Sequence, residues 1–492
     1  MDGGKPALIP MLISYIRIRL PPIINFAFRR RMKPSLSKIP VRPISLKGSV
    51  LVSAIRTAYH VRRFLGMEQW RTPMPGHHED PLRMSFRESL YLGYKYYYRQ
   101  MLSPEPASGL EAYFAGQTLR PAIPPGFVPH RQATLSAGGD LMTYGCIRKD
   151  TCRHLWDEMG DFFFGSDIVV ANLETPIDIS KPPSATPEVM LDDMYFNGDE
   201  PLLDIFNGNG RYRGYDLLSV ANNHSLDMGP EGLLNTIGLL TSKGIATTGA
   251  ARSADALLDV PILERNGIRF AFLAATFSLN KMELPPDKPW LCNHILLNDP
   301  DPDLSVLANQ ATAARARGAD IVVAFLHMGC AYQAYPGETI VRNAHRACDE
   351  AGIDAIVAGH PHHAQPMELY DSPHTGRQHF IAYSLGDFIA YDIYKLGQLP
   401  LILRLTVTKG LTPDGPRTLV TDIQVRPAFM HATIQRGRVS DLRLMDYLRL
   451  RDDPVSIIDP REKIHFEELR QFLETYVFLP HQRHVFGLDA SA

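Results

Sequence analysis

The spacing of apolar residues changes character along this 492-residue chain, and the changes mark out its elements. Dense apolar runs recur at 133–137, 167–171, 215–221, 268–275, 320–326 and 353–358. Such short, continuous, β-branched runs predict strands buried on both faces. Between them, 150–164, 230–243, 304–317 and 339–350 carry helical spacing, and Gly229 and Gly244 bracket the second of these. Beyond His360 the period shortens to two, at 367–370, 379–384, 401–408 and 419–425, which predicts further strands. Alternating βα units followed by a β-rich end imply a central, partly mixed sheet system with helices outside it. Upstream, 84–101 has helical spacing with Tyr91, Tyr94, Tyr96, Tyr97 and Tyr98, a packing face. Residues 431–492 read as polar and helical, with a helix at 460–476.

The Pro- and Gly-rich stretch 120–126 separates the first part of the chain from the βα units. The expected organisation is a basic, largely helical extension over 1–130, an α/β domain over 131–430, and a helical C-terminal extension over 431–492. Apolar content of 45% and charged content of 21% are ordinary for a globular protein. Charge is not evenly spread. Residues 1–72 hold fourteen Lys or Arg against Asp2 and Glu68, a net of +12, so with −2 for the whole chain the remainder carries −14. A basic arm on an acidic body predicts an anionic or carboxylate-rich partner. Nucleic acid is not expected, because no aromatic-interleaved basic platform accompanies the arm.

The most apolar stretch, 7–28, is interrupted by Arg17, Arg19 and Pro21-Pro22, so it predicts no membrane span and makes a poor signal peptide. Three readings remain for it: a peripheral membrane contact, a transit peptide, or an arm packed on the body. The expected location is cytoplasmic or peripheral to a membrane. The five Cys (146, 152, 292, 330 and 348) form no CxxC pair and read as reduced thiols, with Cys330 a small apolar filler.

Candidate chemistry appears where the strands stop. Asp140 follows the first strand, Asn172 and Glu174 the second, Asn222, Asn223 and His224 the third. His327 follows the 320–326 strand, and His360 and His362 follow the last of the βα series. Ligands of open α/β sheets bind beyond the carboxyl ends of strands, so these residues are expected to converge. A donor set of Asp, Glu, Asn and His without Cys favours Mn2+, Fe2+ or Zn2+ over Ca2+. It is too large for one tetrahedral ion and suits two ions sharing a carboxylate, which activate water and clamp a substrate oxygen. A neighbouring His can protonate the leaving group. Asp227 reads as an orienting residue or a turn acid rather than a ligand, and His363 as an exposed neighbour of the pair.

The runs Asn172-Leu173-Glu174, Asn222-Asn223-His224-Ser225-Leu226-Asp227, Leu326-His327-Met328-Gly329, His360-Pro361-His362 and Ser384-Leu385-Gly386-Asp387-Phe388 resemble, in order, the CapA family associated with poly-γ-glutamate capsule synthesis. That resemblance implies a calcineurin-like metallophosphoesterase sandwich of four α/β/β/α layers. It implies one or two divalent ions held by Asp140, Glu174, Asn223, His327, His360 and His362, with His224 as general acid. Three positions depart from the phosphoesterase pattern. Met142 stands where a metal-binding His is usual, Met328 where Trp is usual, and Asp387 where Asn is usual, adding a carboxylate. The first metal subsite is therefore altered, and a single-ion site remains open. Two functions follow as expectations: a metal-dependent hydrolase of a phosphoester or a γ-glutamyl or other amide bond, or a non-catalytic metal-binding accessory subunit of a membrane-associated polymer-synthesis complex.

Overall fold

The structure is a computed structural model that describes residues 41–488, apart from 68, 192–193 and 458. The stretch 7–28, on which the membrane, transit-peptide and packed-arm readings rest, lies outside the described residues.

Two β-sheets form the centre. The first comprises β1 (Val128–Leu141), β2 (Ile168–Leu173), β3 (Leu217–Ser219) and β4 (Ala246–Thr248), all parallel. The second contains β5 (Ile262–Arg265), β6 (Ile268–Thr276), β7 (Ile321–His327), β8 (Ala355–Gly359), β9 (Met367–Asp371) and β10 (Gln378–Ala382), in the order β5-β6-β7-β8-β10-β9. The chain then returns to the first sheet. Short β11 (Asp387–Ile389) pairs with the end of β1, while β12 (Leu401–Thr412), β13 (Gly415–Gln435) and β14 (Arg438–Asp446) extend the other edge antiparallel. Strands β1, β2, β7 and β8 are buried almost throughout their domain-facing lengths, because each is covered on both faces. Helix Gly229–Ser242 packs by β4, and Ser305–Ala316 and Glu338–Ala351 pack together outside β6. Helix, sheet, sheet and helix give the four α/β/β/α layers.

Three expectations about elements are corrected. Only Gly160–Phe164 of the segment 150–164 is α-helical. The carbonyls of Thr151 and Leu155, which a helix would use for itself, accept from Leu442 and Leu444 N–H of β14 at 2.8 and 3.0 Å. The region 431–492 is not wholly helical, since β13 runs through residue 430 and turns into β14. Arg436 (φ 51°) and Gly437 (φ 73°) form the two-residue turn, and both positive φ values suit the twist of a tight hairpin. On β14 Val439, Leu442, Leu444 and Met445 are buried, so polar composition masked a strand whose apolar spacing is interrupted by a register shift. Upstream of β1 the described helices are Leu46–Phe64, Phe86–Tyr97 and Leu110–Ala115, and the intervening backbone is non-helical. The helix Phe86–Tyr97 begins on a Ser85/Glu88 capping box and buries four of its tyrosines.

This N-terminal region is tied into the body rather than appended to it. Tyr96 Oη donates to Asp392 Oδ1 at 2.6 Å, and Val41 and Met101 form bridges with Tyr394 and Gln333.

Gly139 and Gly359 flank Asp140 in tightly packed positions. A Cβ on Gly139 would lie 1.9 Å from the Gly386 carbonyl oxygen, and one on Gly359 would lie 2.5 Å from Asp140 Oδ1. Both positions need glycine because backbone or an acidic group occupies the side-chain space. Gly139→Ala is expected to cost on the order of 2–4 kcal/mol, the range for a buried clash, seen as a lower urea midpoint. A midpoint unchanged within error would contradict this packing.

Candidate functional site

Each strand that ends at the seam delivers a polar side chain there. Asp140 and Asp387 are register partners on β1 and β11. Glu174 follows β2, His327 ends β7, and His360 and His362 follow β8. Asp140 and Glu174 have no exposed surface. The Asp140 carboxylate accepts from Asn172 Nδ2 at 2.8 Å and from the His360 backbone N–H at 3.0 Å. Asn172 Oδ1 in turn accepts from Asn222 Nδ2 at 3.2 Å.

Three overlapping groups place ligand-type atoms within 4.8 Å of one another: Asp140, Glu174 and His327; Glu174, His360 and His362; and Asp140, His362 and Asp387. Asp140 and Glu174 each belong to two groups, an arrangement suited to carboxylates shared between ions. Asn223 adjoins this cluster, with its Oδ1 2.8 Å from His327 Nε2. Neither Glu174 oxygen and neither His360 ring nitrogen has a hydrogen-bond partner, although all four atoms are buried. Unpaired buried carboxylate and imidazole atoms carry a desolvation cost that a bound cation removes. The donors therefore fit a divalent metal, and their O/N mixture suits Mn2+, Fe2+ or Zn2+.

Electrostatics without an ion run the same way. Burial raises the Asp140 carboxyl, and Glu174 adds to the effect. Burial likewise lifts Asp387 to about 7. Burial lowers His327 to about 3 and His360 to about 4, leaving both neutral and available as ligands. Burial also opposes charge on His362, but Asp387 Oδ1, 2.9 Å from its Nδ1, more than compensates and raises it.

His224 and Asp227 stand beside the cluster. His224 Nδ1 is 2.7 Å from Asp227 Oδ2, which also accepts from the Phe196 N–H at 2.7 Å. The ring stacks on Phe196 at 4.1 Å between centroids. Burial works against its charged form, and Asp227 outweighs burial, so the pKa is raised. The backbone here is unusual: His360 (φ 95°), His362 (φ 60°), Tyr332 (φ 63°) and Asn280 (φ 56°) all take positive φ. Such conformations persist where surrounding structure enforces them, and they gather at functional sites.

All eight predicted residues thus lie at one edge of the sheet pair. Two neighbours differ from expectation. His363 is fully buried, its ring packed edge-on to Phe472 at 5.5 Å. The Cys330 thiol is not only a filler, since it donates to the His77 carbonyl at 3.1 Å. Sequence reasoning missed the segment 77–80, which closes over the site. Asp80 Oδ1 accepts from Ser278 Oγ, the His78 carbonyl accepts from Asn298 Nδ2, and Glu79 accepts from the Ala331 N–H. The run His77-His78-Glu79-Asp80, dense in ligand-type residues, was the available signal.

Residues 134–392 match the family model described as "Bacterial capsule synthesis protein PGA_cap". The chain is 28% identical over 257 residues to the PGA biosynthesis protein CapA of Bacillus subtilis, covering 51% of this chain and 61% of that protein. It is 25% identical over 270 residues to the capsule biosynthesis protein CapA of Bacillus anthracis, covering 53% and 61%. The match thus spans about six-tenths of the length of these curated relatives. Among solved structures, the calcineurin-like phosphoesterase YfkN from Bacillus subtilis aligns with a TM-score of 0.35 and 12% identity, over 70% of this chain and 99% of that one.

The unpaired Glu174 carboxylate yields a two-sided prediction. Glu174→Gln should raise the melting temperature of the metal-free chain, by roughly 1 °C per kcal/mol recovered in a chain of this length, and abolish any further rise on adding Mn2+. In the unaltered chain Mn2+ should raise it. Equal responses of the two proteins to Mn2+ would rule out Glu174 as a ligand.

Proposed function

The chain belongs to the bacterial capsule synthesis protein family, and from that membership and the geometry of its site we propose that it is a metal-dependent hydrolase serving poly-γ-glutamate or capsule biosynthesis. The observation that carries the reading is the shared, buried carboxylates of Asp140 and Glu174, the latter without a hydrogen-bond partner, ringed by imidazoles, with the His224–Asp227 pair alongside. Asp140, Glu174, Asn223, His327, His360 and His362 would hold one or two ions, with Asp387 as a further carboxylate. A divalent ion there supplies Lewis acidity toward a phosphoryl or acyl oxygen and makes a coordinated water more acidic.

The chain's own residues do the rest. Asp227 takes the Nδ1 side of His224, fixing the ring and favouring its protonated form. Nε2 is then the nitrogen that passes a proton to the leaving group. Phe196, stacked on the ring, blocks rotation. His327 and Asn223, in contact through Nε2 and Oδ1, bring the His224 loop against the end of β7. The bond cleaved is a phosphoester or a γ-glutamyl or other amide. The names of the capsule relatives favour a γ-glutamyl chain, an anionic, carboxylate-rich substrate that the basic arm would attract.

A second reading, a metal-binding accessory subunit without turnover, is favoured by one observation. Among the histidines of the candidate ligand groups the most exposed side chain is that of His362, at 13%. Membrane association through the basic arm would belong to that reading. No helix among the described residues is long and apolar enough to cross a membrane.

His224→Ala should lower kcat/KM by about 100- to 10,000-fold, the usual share of a general acid, with bound metal unchanged. The assay is cleavage of a chromogenic phosphodiester and of a γ-glutamyl oligomer, with metal measured on the same sample. Full metal occupancy with no turnover of either substrate would overturn the hydrolase reading in favour of the accessory one.

A further inference from the structure

Glu79 lies outside the family-matched segment, on the strap that crosses the site. Its side chain is 3% exposed, and Oε2 sits 2.7 Å from Nζ of Lys95, which has no exposed surface. The Ala331 N–H donates to Oε1 at 3.1 Å. These contacts hold the carboxylate with Oε1 3.6 Å from His360 Nε2. Both elements that meet here have constrained backbones, with Glu79 at φ 57° and His360 at φ 95°. Meanwhile His360 groups with Glu174 and His362 as a candidate ligand. Imidazoles that ligate through one nitrogen are ordinarily oriented by a carboxylate or carbonyl at the other. A carboxylate at Nε2 selects the tautomer protonated there and leaves the Nδ1 lone pair for an ion.

We propose that Glu79 is a positioning residue for His360, so that the N-terminal extension completes the metal site of the capsule-family domain. The inference rests on the metal-site reading above. It gives the extension a part in the chemistry of the domain that the family match alone would not reveal. Lys95 serves by holding Glu79 charged and oriented. Its ammonium lies over the Tyr91 ring at 4.9 Å, inside the tyrosine face that the helix Phe86–Tyr97 buries.

The test uses the full chain, stripped of metal by a chelator and titrated with Mn2+, with free Mn2+ read from its electron paramagnetic resonance signal. Glu79→Gln strands the Lys95 charge and should lower the melting temperature. The double variant Glu79→Gln/Lys95→Met removes both charges and should recover much of that loss. In both variants Mn2+ affinity should fall by about tenfold to a hundredfold, the range for losing an outer-shell partner. Asp80→Asn, in the same strap but facing Ser278, should loosen the strap without that loss. Unchanged affinity in both Glu79 variants, or an equal affinity loss in Asp80→Asn, would overturn the proposal. His327→Ala separates the two levels. If it weakens Mn2+ binding while the Glu79 variants do not, the metal site stands and the Glu79 role falls. If the unaltered chain binds no Mn2+, or His327→Ala binds it as tightly, both fall.

Discussion

The carboxylates of Asp140 and Glu174 are buried together at the seam of two sheets, among imidazoles and amides, and this concentration of charge governs what lies around it. The packing that buries them requires the bare backbones of Gly139 and Gly359. Supporting the Asp140 carboxylate takes an asparagine from β2 and a backbone N–H from the loop after β8. That loop in turn adopts left-handed conformations at His360 and His362. Each of these features is costly in isolation. Together they form a site that neutral packing would not require and that a divalent cation would stabilise.

The N-terminal extension bears on the same constraint. Its buried Glu79–Lys95 pair reaches the ring of His360. Exclusion of water strengthens every electrostatic interaction inside. The His224–Asp227 pair is held by Phe196 and Asn280.

Much of this was legible in the sequence because the signals were local. Continuous β-branched runs such as 320–326 can hardly be anything but buried strands, and the polar residues ending them had to share an edge once the strands were parallel. The family resemblance rested on the same short runs. What escaped depended on distant partners. Residues 150–159 have helical spacing, yet the carbonyls of Thr151 and Leu155 serve β14, which lies nearly three hundred residues away in the chain. The β13–β14 hairpin was hidden by its polar residues. His363 looked like a surface residue because nothing nearby in sequence reveals Phe472 as its neighbour. Glu79 sits sixteen residues before Lys95 in a region without strand or helix, and only the fold brings it to His360.

The central claim is that a metal ion sits at the seam. Crystals grown with Mn2+ and measured at its absorption edge test this most directly. The account predicts one or two anomalous peaks among Asp140, Glu174, His327, His360 and His362. Anomalous peaks confined to surface carboxylates, with none against Glu174 or His360, would contradict it.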